Sequence, residues 1–183
     1  MPGKKASKAT PKTQSWAPVY SASQAAATAA VARLDCSAAA RGAAPQPVAA
    51  DYLTTCDPAT DAAVVLSPAV LVSTDIASAR AASSTAGWSV DLGLDQAGTA
   101  AFSALTQHLA ASHGRFAFVV DGVVLDSRNP TATVTDGAAQ FGGALTELQA
   151  KALADALTTG PLPVSFDAIS VQGISIDNVP ASS

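Results

Sequence analysis

The residues able to carry chemistry are few and scattered. The chain has two histidines, His108 and His113, five positions apart. Helical side chains share a face at three or four positions apart, so this pair is a poor metal chelate. Near a helix C-terminus a histidine suits the dipole as a surface residue. Asp121 and Asp126 flank a predicted hairpin and have the composition of an acid/base pair. The turn accounts for Asp121 and the strand end for Asp126. Gly137, Gly142 and Gly143 are not followed by Gly-Lys-Ser/Thr, so they do not make a phosphate loop. They suit close backbone approach or positive φ. Serines are plentiful, but no Gly-x-Ser-x-Gly elbow frames one as a nucleophile. No polar groups converge, and the residues imply no catalytic, cofactor-binding or metal site.

Cys36 and Cys56 lie twenty positions apart, with no histidine nearby, which does not fit a four-ligand zinc site. Two readings remain. A disulfide would close the Pro-rich loop between them and contribute about 3 kcal/mol by restricting the unfolded chain. Alternatively, the two are reduced, buried small hydrophobes. Trp16, Trp88 and the phenylalanines suit a groove for an extended peptide, although core packing explains most of them equally well.

These residues must be positioned by a chain of 183, enough for one substantial domain or two small packed lobes. About half of it is apolar (49%), but alanine dominates that half and aromatic residues are only 5%. Alanine buries little area, so Leu, Val, Ile and Phe carry the core. The net charge is −4, with Lys4, Lys5, Lys8 and Lys12 in the first twelve residues and every acid at Asp35 or later. Residues 1–15 read as a disordered basic tail, and the acidic body argues against a nucleic-acid surface. No window is long and apolar enough for a spanning helix. Polar residues after Lys5 do not form a signal peptide, so the chain reads as soluble without an export signal of its own.

Along the chain, Trp16–Tyr20 is a short extended segment and Ser23–Leu34 an alanine-rich helix with Val31 and Leu34 inward. Ala43–Pro58 reads as loop, and Ala62–Leu66 as a short strand. Thr74 or Asp75 is placed to cap a helical turn through Arg80. Trp88–Leu94 alternates with period two, a half-buried strand. Helix Thr99–Ser112 follows, with Phe102, Leu105 and Leu109 on one stripe. Two apolar runs then flank Asp121-Gly122, a dipeptide suited to a type I′ turn in which both residues need positive φ. After an irregular glycine-rich passage, Thr146 and Gln149 have capping-box spacing. Leu145, Leu148, Ala152, Leu153, Ala156 and Leu157 form the apolar face of the helix they start, which Gly160-Pro161 stops. Pro163–Val171 is a last strand, bulged at Asp167-Ala168.

The order from Trp88 predicts an α+β fold: a ferredoxin-like antiparallel sheet with helices on one face, plus a smaller alanine-rich N-terminal lobe. The expected divisions are 1–15 tail, 16–87 N-terminal lobe with the cysteine pair, 88–176 α+β lobe and 177–183 frayed tail.

Four motifs in this order carry a resemblance: Phe118–Val124 around Asp121-Gly122, Phe141–Glu147, Ala150–Leu157, and Gly160-Pro161-Leu162-Pro163. Trp88–Leu92, Phe102–Thr106 and Trp16–Val19 extend it upstream. Together they resemble the first extracytoplasmic, head-containing domain of SecD, of the SecDF protein-export complex. Paired cysteines near Cys36 and Cys56 resemble actinobacterial SecD sequences, and an extracytoplasmic setting favours the disulfide. The resemblance implies a non-enzymatic module outside the membrane that binds emerging, unfolded preprotein or docks on the Sec machinery, with SecF and the SecY channel as partners. Because fold does not fix function, the alternative is a secreted or surface-associated binding domain of the same fold with an unrelated ligand.

Overall fold

The structure is a computed structural model that describes residues 17–36, 48–58, 60–159 and 169–175. In chain order, β1 (Val19–Ser21) leads into α1 (Gln24–Val31), followed by β2 (Tyr52–Asp57) and β3 (Ala62–Leu66). A 3-10 turn at Ser73–Asp75 precedes β4 (Ile76–Ser84) and β5 (Gly87–Leu94). Then come α2 (Gln96–Ser112), β6 (Arg115–Val120), β7 (Val123–Arg128), β8 (Ala138–Leu145), α3 (Glu147–Thr159) and β9 (Ile169–Ser175). The fold is α+β, and its strand pairs are antiparallel.

Among the described residues the strands divide between two sheets. One has six strands in the order β1-β2-β3-β9-β6-β7, and the other three, β4-β5-β8. The lobe boundary expected at 87/88 falls between β4 and β5, which pair with each other, and the larger sheet takes strands from both sides of it.

β6 explains how the two layers fit together. From Phe116 to Val120 its residues are apolar without alternation because both of its faces are buried. Ala117 and Val119 face a core with Leu53, Val64, Leu66 and Val124. Phe116 and Phe118 face a second core, shared with Val90, Leu92 and Phe141 of the smaller sheet, Phe102 and Leu109 of α2, and Ala150 and Ala154 of α3. Phenylalanine rings run through this second core as neighbours: Phe102–Phe116 at 5.5 Å, Phe116–Phe118 at 5.5 Å and Phe118–Phe141 at 5.1 Å. Edge-to-face ring pairs such as the first add about 1 kcal/mol beyond burial.

Local chemistry sets the helix ends. Asp95 accepts from the Gly98 amide at 2.7 Å and starts α2. At its end His113 takes a left-handed φ of 55°, and the Gly114 amide donates to Leu109 O. Thr146 and Gln149 exchange hydrogen bonds at the start of α3, 2.9 Å from the Thr146 amide to Gln149 Oε1 and 3.3 Å in return.

Several expectations are corrected. Residues 76–80 belong to a strand, not a helical turn, because β4 pairs along β5 through Ser84. The stretch read as loop contains β2, whose buried Thr54 and Thr55 hydroxyls find carbonyl acceptors at Ala27 and Gly122. The irregular glycine-rich passage is largely β8, with its bulge at Gly142 and Gly143. In α1 the buried residues are Ala27 and Ala30, because small side chains let the helix approach β2 closely. On α3 the inward stripe centres on Ala150 and Ala154, which leaves Ala152 exposed and Leu148 80% exposed. Trp16, the basic tail, Gly160-Pro161, residues 161–168 and the C-terminal tail lie outside the described residues.

Candidate interaction surface

Sequence-singled residues are kept apart by the fold. His108 and His113 are both exposed, and the latter's carbonyl accepts from Asn129. Asp121 and Gly122 form the β6–β7 turn with φ of 49° and 76°. A Cβ on Gly122 would stand 3.1 Å from Pro18 Cβ, so this turn packs against the segment leading into β1. The larger sheet thus curls until its two ends meet. Tyr20 lies at that closure. Burial, and secondarily the Asp121 carboxylate, pushes its phenol up to about 12.

Asp126 belongs to a different contact. Its carboxylate accepts from Arg128 Nε at 2.8 Å and from the Gly142 amide at 3.0 Å, which ties β7 to the β8 bulge. Gly142 has φ 103°, a conformation that residues with a side chain rarely adopt, so glycine is required there. Cys36 and Cys56 form a disulfide with a Cα–Cα distance of 5.5 Å, which fastens the segment after α1 to the outer face of β2. Among the described residues no group of His, Cys, Asp and Glu is placed to hold a metal.

A buried ion pair was not foreseen from the residues. Asp57 of β2 is fully buried, and Arg115 of β6 reaches it at 3.2 Å. Ser127 of β7 bridges them, donating to Asp57 at 3.3 Å and accepting from Arg115. Reading 43–58 as loop hid Asp57, whose signal would have been the alternation Leu53, Thr55, Asp57 on one strand face.

The surface best suited to a partner lies on the smaller sheet. Its inner face carries Ala79, Ala81, Val90, Leu92, Ala139 and Phe141 against the helices and β6. Its outer face is built in rows: Ser78–Gly93–Ala138, Arg80–Asp91–Gln140 and Ala82–Ser89–Gly142. Among the described residues β4 pairs only with β5, leaving a nine-residue strand at the edge. Helix α3 packs on this strand, and Thr158 near its end donates to the Ala79 carbonyl at 3.3 Å. Apart from Ile76 and Arg80, β4 consists of alanine and serine. Its own side chains are mostly small, and among the described residues no second strand pairs with its free edge; unpaired edge N–H and C=O groups are a template for another strand. Trp88 is half-buried at the start of β5, with Lys151 Nζ 5.7 Å from its ring centre, and serves the core more than a groove.

Comparison with known proteins places this architecture. Residues 51–164 match the family described as SecDF, P1 head subdomain. Protein translocase subunit SecD of Streptomyces coelicolor is 29% identical over 117 residues, covering 61% of this chain and 20% of that protein. The match thus spans about a fifth of that relative's length. Two solved structures are similar. The crystal structure of SecDF in a super-membrane-facing form is 28% identical with a TM-score of 0.49, over 58% of this chain and 14% of that one. A SecDF described as a membrane component that enhances protein export is 26% identical with a TM-score of 0.47, over 60% and 47%. No described helix is long and apolar enough to cross a membrane. With the matched segment running from the residue before β2 through α3 and beyond, the chain belongs to the SecDF P1 head subdomain family.

Proposed function

We propose that this chain is a non-enzymatic module of a protein-export apparatus. It stands on the extracytoplasmic side of the membrane and holds an unfolded segment of an emerging preprotein. SecF and the SecY channel are its docking partners in this reading. Family membership supports the setting, and the β4 edge, which pairs with no second strand among the described residues, is the observation that carries the binding mode. An extended segment added to β4 gains main-chain hydrogen bonds, which do not read sequence. Each contributes about 1 kcal/mol net, so the grip is weak and reversible, as transfer of a moving chain requires.

The test is binding of the purified chain to an unfolded, signal-bearing preprotein segment, with the same protein folded as control. Hydrogen exchange maps the contact. Preferential binding of the unfolded form, with protection of β4 amides, is the expected result. No binding at roughly 50 µM, with the disulfide intact, would sink the reading and favour a binding domain with an unrelated ligand.

A further inference from the structure

We infer that Arg80 makes the β4 edge selective by charge: it favours extended segments that carry a carboxylate side chain and disfavours those that carry lysine or arginine. This deepens the proposed binding mode and rests on it. Arg80 is the fifth of nine residues in β4 and the sole charge in the sequence between Asp75 and Asp91. Its side chain is exposed on the outer face of the sheet. Asp91 is its register partner on β5, but that carboxylate accepts from Gln140 Nε2 at 2.6 Å. Among the described residues no carboxylate forms an ion pair with Arg80. Same-face neighbours along β4 are Ser78 and Ala82, too short to cover the guanidinium.

A strand added to β4 places its own side chains in line with these rows. The residue directly opposite Arg80, or one diagonal from it, comes within reach of the guanidinium. An opposite charge there is favourable and a like charge unfavourable. Arginine matches a carboxylate with two parallel N–H donors, which gives the contact direction as well as charge. Because every β4 side chain other than Ile76 and Arg80 is small, register is weakly specified. An incoming chain can slide until its carboxylate reaches Arg80, so the position of the acid along the segment matters little.

The experiment uses the full chain and unstructured peptides long enough to span β4, made of serine, alanine and valine with one central Asp, Asn or Lys. Binding is read by fluorescence anisotropy at low and high salt. The Asp peptide is expected to bind about fivefold more tightly than the Lys peptide, and the ratio should shrink as salt screens the contact. Moving the Asp by two positions should leave its affinity within about twofold. Arg80→Glu, an exposed change that spares the core, should reverse the order. Equal binding of all peptides would overturn the charge inference and leave the binding mode standing, while no binding of any peptide would overturn both. A third outcome is also decisive. If Arg80→Ala keeps the peptide order but forms oligomers in sedimentation, Arg80 guards the edge against self-pairing, and the inference fails.

Discussion

Asp57 and Arg115 meet at 3.2 Å inside the curled sheet, with the carboxylate fully buried and the guanidinium side chain 23% exposed. They lie on strands from opposite halves of the chain, so the pair ties together parts of the sheet that are distant in sequence. Removing one partner leaves a buried charge without its counter-ion. Asp57→Asn and Arg115→Met are each expected to lower stability in urea by about 3 kcal/mol. The double variant should lose less than the sum of the two, because neither charge is then stranded. Single losses below about 1 kcal/mol would mean the pair is incidental to folding.

Tyr20 supplies a pH test. Its folded phenol is raised to about 12 from an ordinary value of 10.0. Between those values the unfolded phenol has given up its proton and the folded one has kept it, so stability falls as pH rises. Below pH 10 the contribution is fully present. An ultraviolet titration in a Tyr52→Phe background, which leaves one phenol, should place the Tyr20 midpoint near 12. Asp121→Asn should bring it part of the way down, since burial remains and the carboxylate is gone. Asparagine also tolerates the positive φ of that turn. An unchanged midpoint in Asp121→Asn would show that burial alone sets it.

The disulfide closes a loop of twenty residues between the end of the α1 segment and β2. Opening it returns that loop's freedom to the unfolded chain, about 3 kcal/mol. Thermal unfolding with and without reductant should differ by roughly 10 °C. A Cys36→Ser/Cys56→Ser double variant should match the reduced protein. If reductant does not move the midpoint, the unfolded chain is already constrained in that region.

Elements with strong local signals could be read directly from the residues. Asp121-Gly122 between two apolar runs, the alternation of Trp88–Leu94 and the stripe of Phe102, Leu105 and Leu109 each contain their own explanation. β4 does not. Its alanines favour a helix by propensity, and the strand arises because β5 offers a partner along its whole length. β2 was hidden for a related reason: two threonines and an aspartate look like loop residues until their distant partners at Ala27, Gly122 and Ser127 are known. On α3, periodicity alone cannot set the rotation of the stripe. Ala150 and Ala154 face inward because small residues bring the helix close, and Leu148 is left outside. For the candidate surface, the sequence shows a lone arginine among small residues, but only the pairing of β4 and β5 puts it at an edge. The disulfide followed from the extracytoplasmic resemblance more than from the spacing of the cysteines.

β6 is shared by two cores, with Phe116 and Phe118 serving one and Ala117 and Val119 the other. Such a strand acts mechanically as a keel. In the proposed binding mode, a pull on a chain added to β4 would pass through Val90 and Phe141 into Phe118, and from there into the curled sheet behind it. Neither layer can give way by itself without stripping one side of the keel. Traction at that edge would therefore be borne by both layers together, and the proposed edge contact, held by a few main-chain hydrogen bonds, would let go before the fold does.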